Sequence, residues 1–164
     1  MALPQPQQYP FRPMRARILS IVFIAAILTL QSCSHKHQVY TSRCDVEVRF
    51  KKISFTHLID SISSYDQQYV EVSGKYKEDK ELSALFNDGG LLNRTGSDAL
   101  WINFSQDCPL YLSGTRHGLF EDNDGQFTRL NNRSITIRGR VDVRNKGSHK
   151  QCKAALNRVS LVSL

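Results

Sequence analysis

Alternation between apolar and polar positions organises most of the chain beyond residue 45. Val46-Glu47-Val48-Arg49-Phe50 alternates apolar with charged residues, which predicts a strand. Ser54 then stands as an N-cap before Phe55, Leu58, Ile59 and Ile62, whose i, i+3, i+4, i+7 spacing predicts a short helix lying on the core. Val70, Val72, Gly74 and Tyr76 alternate with Glu71, Ser73, Lys75 and Lys77, a strand with one buried and one wet face. Gly74 inside that pattern marks a bulge or a sharp bend.

Leu82, Ala84 and Phe86 form a further short strand before the turn signal Asn87-Asp88-Gly89-Gly90 and a polar loop to Asp98. Leu100, Ile102 and Phe104, set against Trp101 and Asn103, form the next. From Ser105 to Asn132 the periodicity fades, and Pro109, Gly114, Gly118 and Asp124-Gly125 supply turn chemistry, so this segment reads as a long connection with one helical turn. The clearest strand follows: Ile135, Ile137, Gly139, Val141 and Val143 share one face, while Thr136, Arg138, Arg140, Asp142 and Arg144 share the other. After the loop Asn145 to Lys150, a closing strand carries Ala154, Leu156, Val159 and Leu161. Short strands with bend glycines and one long connection predict an all-β fold with one or two short helices. Its form is a small five- to six-stranded OB-like barrel, placed after an N-terminal signal helix.

The N-terminus carries a different pattern. A Pro/Gln-rich stretch to Pro13 precedes Arg15 and Arg17, and then an apolar run from Ile18 to Leu30 broken only by Ser20 and Thr29; Met14 is an alternative start to Met1. Positive charge followed by an apolar run is the order of a secretory signal. The run has 13 residues, where a membrane-crossing helix needs about 20. It ends in Leu30-Gln31-Ser32-Cys33, which resembles a bacterial lipobox. The resemblance implies cleavage between Ser32 and Cys33 and acylation of Cys33, with Ser34 in place of an aspartate pointing to the outer membrane. It divides the chain into a signal peptide over 1–32, a lipidated Cys with polar tether over 33–43, and an OB-like domain over 44–164. Several acyl chains, at about 0.8 kcal/mol per buried methylene, make such an anchor stable. The alternatives are a signal peptide with an incidental Cys33, or an uncleaved anchor.

Composition narrows the class without naming an activity. The 164 residues, 40% hydrophobic and 23% charged, make one domain. They exclude a large multidomain enzyme, a polytopic membrane protein and a disordered tail. Part of the net charge of +7 sits in the leader, which holds Arg12, Arg15 and Arg17 and no acid. Export would put Cys44, Cys108 and Cys152 in an oxidising compartment, where one disulfide forms and one thiol is left; the pattern leaves all three pairings open. A metal site built from these cysteines and His149 is the sharper alternative, although no C-x-x-C spacing is present.

Several motifs occur in a recognisable order. Ile53-Ser54-Phe55 to Leu58-Ile59, Tyr65-Asp66 and Tyr69-Val70-Glu71-Val72-Ser73-Gly74 come first. Ala84-Leu85-Phe86, Leu100-Trp101-Ile102, Ile135-Thr136-Ile137-Arg138-Gly139 and Gly147-Ser148-His149 follow. This order, from about Ile53 to Val162, resembles that of small, mostly uncharacterised bacterial OB-like domains. The chain departs from their pattern where Gln67 replaces a glycine after Tyr65-Asp66, and where Ser148 splits the Gly-His pair. The resemblance implies the fold and no established reaction.

Candidate chemistry is spread thinly. Trp101 and Asn103, opposite Leu100 and Ile102, would offer an aromatic platform to a sugar, a base or a peptide, unless a loop covers them. Between Arg129 and Lys153 there are eight Lys/Arg and one acid, Asp142, so Arg138, Arg140, Arg144, Lys146 and Lys150 form a candidate surface for an acidic glycan or lipid phosphate. The alternative is a solvated strand face whose arginines pair with Glu71 or Asp142. His149 would bind a ligand or shape its Gly/Lys loop, and His35-Lys36-His37 is an H-x-H pair without a third ligand. Phe120-Glu121-Asp122-Asn123-Asp124-Gly125 fails as a calcium loop because Phe120 falls in the first ligand position. The compartment and the lack of an RNP-like motif argue against nucleic acid. With no G-x-S-x-G, H-E-x-x-H or phosphate loop, and no metal or cofactor implied, the expectation is a noncatalytic module. It would be a binding or structural OB-like unit anchored at the bacterial outer membrane, facing the periplasm or the exterior, with an envelope protein or acidic glycan as partner. The alternatives are an inhibitor or immunity-type lipoprotein working through Ser105 to Asn132, and a small metal-dependent envelope hydrolase using His149.

Overall fold

The computed structural model describes residues 37–88, 98–121 and 128–164. The signal segment, Ser32, Cys33 and His35 lie outside the described residues, as do Gly89-Gly90 and the acidic turn from Asp122. The elements are β1 (Val39–Thr41), β2 (Lys51–Lys52), α1 (Phe55–Asp60), a 3-10 turn (Ile62–Tyr65), β3 (Tyr69–Glu78) and β4 (Ser83–Phe86). They continue with β5 (Leu100–Ile102), β6 (Tyr111–Leu112), β7 (Ser134–Asp142) and β8 (Ala154–Ser163).

Five strands close a barrel. β3 pairs antiparallel with β4, β4 with β5, β5 runs parallel to β8, β8 pairs antiparallel with β7, and β7 returns antiparallel to β3. The expected all-β architecture is the one the chain adopts, with the strand order of an OB-like barrel. Closure requires β3 to serve two neighbours. It pairs with β7 over Tyr69 to Lys75 and with β4 over Lys75 to Glu78. The change of partner falls at Gly74, where a Cβ would collide with the Phe86 carbonyl oxygen and the Leu85 side chain, so the bend requires glycine.

β8 turns the corner by a bulge. Arg138 faces Leu161 while Arg140 faces Asn157, so Arg158 to Ser160 stand against the single Gly139. Arg158 adopts a φ of 51° and points outward. Ala154 and Leu156 face the core as the alternation requires, Val159 turns inward within the bulge, and beyond it Val162 is buried while Leu161 is half-buried.

The inward faces match the alternation elsewhere. Val70, Val72, Tyr76, Leu100, Ile102, Ile135, Ile137 and Val141 are all buried. Leu58, Ile59, Ile62 and Tyr65 from α1 and the 3-10 turn join the same core. The Ser54 hydroxyl caps α1 by accepting the His57 N–H at 3.4 Å. The helix is shorter than its apolar spacing suggests, and Ile62 belongs to the 3-10 turn.

Three expectations are corrected. Val46 to Phe50 is not a strand: residues 43–47 form a turn, Val48 N–H bonds to Asp45 C=O at 3.1 Å, Val46 is 75% exposed, and pairing begins only at Lys51. Two anchors override the alternation there. A disulfide joins Cys44 to Cys108 across 64 residues, a constraint of about 4 kcal/mol on the unfolded chain in the loop-entropy picture. Asp45, whose carboxylate is 7% exposed, accepts hydrogen bonds from Arg158 Nη2 at 2.8 Å, Arg158 Nε at 3.0 Å and the Tyr69 hydroxyl at 3.2 Å. Second, the stretch expected as tether up to residue 43 contains β1, paired with β8 and β6, with Tyr40 in the core. The folded unit therefore begins at His37 and not at Cys44. Third, the connection after Phe104 has no helical turn among its described residues. It folds instead as a hairpin, Tyr111–Leu112 against 117–119, around Gly114 at φ 81°.

The position that departs from the resembled pattern proves to be conformationally special. Gln67 sits at φ 61°, held there because its N–H bonds to Val141 C=O at 2.9 Å while the next carbonyl, of Gln68, receives the Val141 N–H at 3.0 Å. Gln67→Gly is expected to stabilise the fold by about 0.5–1 kcal/mol, because relief of the left-handed strain (about 1–2 kcal/mol) exceeds the added unfolded-state entropy (about 0.5–1 kcal/mol); urea unfolding of both proteins checks this. Asp45 generates a pH prediction. Hydrogen bonds from Arg158 and the charge of that guanidinium hold its carboxyl below the usual carboxylate range. A depressed folded-state pKa stabilises above the unfolded value of 3.8, and the gain disappears as pH falls through the folded pKa. Asp45→Asn is expected to cost about 1 kcal/mol at pH 7, a low figure because the Arg158 end is solvent-screened. The gap to wild type should narrow steadily below pH 4 in unfolding titrations.

Candidate functional site

The outer face of β5 and β7, with the loop between β7 and β8, holds the residues singled out from sequence. Trp101 is half-buried and packs with Leu82 and Phe86 against a small outer cluster of Ala84, Ala99 and Cys152. Above it lies the β7–β8 loop. Gly147, at φ 79°, presents its backbone to the indole so closely that a Cβ would overlap Trp101 Cδ2 and Cε3. The loop is held by its own bonds: Asp142 Oδ1 accepts the N–H groups of Arg144 and Asn145, and Asn145 Oδ1 accepts that of Gly147. Cys152 N–H reaches Lys146 C=O at 3.1 Å. The platform expected at Trp101 is thus covered by a loop.

Asn103 is engaged as well. Its amide donates to Asn157 Oδ1 at 3.2 Å, and Asn157 donates in turn to Asp142 Oδ2 at 2.9 Å, a polar row across β5, β8 and β7. Arg138 donates from Nε to Glu71 Oε2 at 2.7 Å and lies over the Phe50 ring, 5.5 Å from its centroid. Arg140 Nε is buried without a partner among the described residues. Arg144 is exposed. His149 Nε2 lies 3.1 Å from Glu81 Oε2 across the β3–β4 turn, with both side chains exposed, a pair worth less than about 1 kcal/mol. The expected row of free arginines is therefore broken, since Arg138 is spent on Glu71. His37, the described half of the H-x-H pair, lies 3.2 Å from the Ser163 hydroxyl. Among the described residues Cys152 is the free cysteine; it is buried, and burial pushes its thiol pKa up, away from a nucleophilic thiolate. Among the described residues no group of three or more His, Cys, Asp or Glu side chains converges as a metal site. Nor is any helix there long and apolar enough to cross a membrane.

Two open clefts lie elsewhere, on residues 104–121 and the Thr41 to Cys44 segment. One cleft of about 790 Å³ runs between the Thr41 to Cys44 segment and the hairpin from Tyr111 to Arg116. Beside it an apolar cleft of about 310 Å³ is lined by Phe104, Pro109, Leu110, Leu119 and Phe120. Pro109, Tyr111 and Glu121 line both. Phe120 is 56% exposed and meets Phe104 edge to face, with centroids 5.0 Å apart. The walls are well anchored: Leu110 and Leu119 are buried and bonded backbone to backbone, and Cys108 carries the disulfide. Glu121 folds back on Gly118, accepting its N–H at 2.8 Å and donating its own N–H to the Gly118 carbonyl.

Sequence reasoning passed over Phe104, Tyr111 and Phe120 as site residues. A signal was present, because Leu110-Tyr111-Leu112 and Leu119-Phe120 flank the Gly-containing turn Ser113-Gly114-Thr115, two apolar stretches spaced as a hairpin.

Trp101 is the one tryptophan of the chain, so its fluorescence reports on the loop above it. Gly147→Ala is expected to lift the loop from the indole and shift the emission to the red, whereas His149→Ala should leave the spectrum nearly unchanged. An unshifted Gly147→Ala spectrum would contradict the packing described.

Comparison of the chain with protein-family models, with characterised proteins and with solved structures returned no match.

Proposed function

We propose that the protein is an outer-membrane lipoprotein, acylated on Cys33, whose OB-like barrel is a noncatalytic module that binds another envelope protein. The observation that carries the binding role is the pair of adjoining open clefts on residues 104–121 and the Thr41 to Cys44 segment, with Tyr111 exposed where they meet and Phe120 exposed on the apolar one. Exposed aromatic residues around a rigid depression are the usual anchors of protein recognition. An acidic glycan is the weaker partner, because the arginine row that motivated it is partly consumed by Glu71. The lipid anchor rests on the charged and apolar leader ending in Leu30-Gln31-Ser32-Cys33.

An inhibitor or immunity-type role is the second reading, and one observation favours it: the apolar cleft is lined by residues 104–121, between β5 and β7, and by no residue of the five barrel strands. The hydrolase reading gains nothing from His149, which is exposed and paired with Glu81.

Two measurements test the proposal. Intact mass and membrane fractionation of the full chain should show cleavage before Cys33 plus acyl groups, lost in Cys33→Ala; an unmodified or uncleaved wild-type product refutes the anchor. A photo-crosslinking residue at position 120 should give a discrete adduct in intact cells, abolished by Tyr111→Asp. The same residue at the exposed Asp60 position should give none. Equal labelling from both positions refutes the binding surface.

A further inference from the structure

The hairpin that walls the larger cleft lies beside the point where the chain enters the barrel. Ser113 N–H bonds to Val39 C=O at 2.8 Å, and Tyr40 is paired with Leu112, so the hairpin tip is fixed at the N-terminal end of β1. The tip is internally braced. Thr115 N–H and its hydroxyl both donate to Leu112 C=O, Thr115 Oγ1 accepts the His117 N–H, and Leu112 N–H reaches His117 C=O. Ser113, Gly114, Thr115, Arg116 and His117 are all exposed. From Cys108 to Phe120 the sequence contains Arg116 and His117 and no acid. Among the described residues Arg116 forms no ion pair. The Leu164 N–H, bonded to Gln38 C=O at 2.9 Å, lies at the same end of the sheet.

Chain length supplies the second constraint. Cys33 precedes Val39 by six residues, and a chain extends at most about 3.3–3.6 Å per residue, so an acylated Cys33 keeps the start of β1 within about 20 Å of the lipid headgroups. β8 runs ten residues from Ala154 to Ser163, and Ser163 is the residue paired with Val39. The β7–β8 loop therefore sits at the far end of that strand, at most about 30 Å away, the bulge at Arg158 to Ser160 shortening the span.

The geometry points to the tip Ser113 to His117 as a membrane-facing surface, with Arg116 contacting the phosphates of anionic phospholipid headgroups; this rests on the acylation of Cys33 proposed above. A rigid, acid-free, cationic turn next to the anchor fits such a surface, since basic side chains within a Debye length of an anionic leaflet are drawn to it. The barrel is then oriented by two contacts, one covalent and one electrostatic.

The test uses the full acylated chain in vesicles of phosphatidylethanolamine and phosphatidylglycerol that carry nitroxide-headgroup lipid. A fluorophore is placed on Ser113→Cys in one preparation and on Lys150→Cys in another, with mass confirming one label, the buried Cys152 unlabelled and Cys33 acylated. Quenching at position 113 is expected to be at least threefold that at 150, and Arg116→Glu is expected to reduce that ratio at least twofold. Equal or stronger quenching at 150 in acylated protein overturns the proposal while leaving the anchor intact. An unchanged ratio in Arg116→Glu overturns the headgroup contact. A chain without acyl mass overturns the anchor and this inference together.

Discussion

Closure of the barrel through β7 is the constraint from which the rest of the molecule follows. β7 is hydrogen-bonded along both edges, to β3 over Tyr69 to Lys75 and to β8 on the other side. Its inward residues Ile135, Ile137 and Val141 are buried. The pairing with β3 joins segments distant in sequence, whereas β8 follows β7 directly in the chain, so the long loop closed between β3 and β7 must be offset by apolar burial. Fitting β8 around β7 requires the bulge opposite Gly139, where a Cβ would stand 3.0 Å from the Asn157 carbonyl. The bulge turns Arg158 outward to hold Asp45, and Asp45 is the neighbour of Cys44, whose disulfide anchors the long connection. The clefts are thus fastened to the barrel at one remove from β7.

Strands whose two faces meet different solvents were legible from sequence. β3 and β7 show period-two burial because one side meets the core and the other meets water, and Gly74 was readable as a bend. The closing strand was readable up to its bulge, where two extra residues opposite Gly139 let Val159 turn inward out of phase; counting on from Val159 misplaces Leu161, whereas Val162 keeps the phase of Ala154 and Leu156. Val46 to Phe50 misled for the opposite reason. Its alternation is genuine, but a strand needs a partner, and Asp45 and Cys44 are held instead by Arg158 and Cys108, residues far away in sequence.

The candidate site was less legible than the fold. Trp101 and Asn103 were correctly placed on an outer face, yet nothing local reveals that Gly147 covers one and Asn157 occupies the other. Similarly, Arg138 looks free in a basic stretch until β3 brings Glu71 opposite it. The clefts depend on the Cys44–Cys108 pairing, one of three open to sequence, and on a hairpin with strands too short to show periodicity.

The small contact between Glu121 and Gly118 has a consequence for behaviour at high protein concentration. A sheet extended by β1 and the hairpin exposes an outer edge that could template strand addition between molecules. Glu121 consumes both the N–H and the C=O of Gly118 on that edge, while the opposite edge, β2, is a pair of exposed lysines. One border is blocked by Glu121 and the other by like-charge repulsion, so neighbouring copies at high concentration would resist edge-to-edge polymerisation.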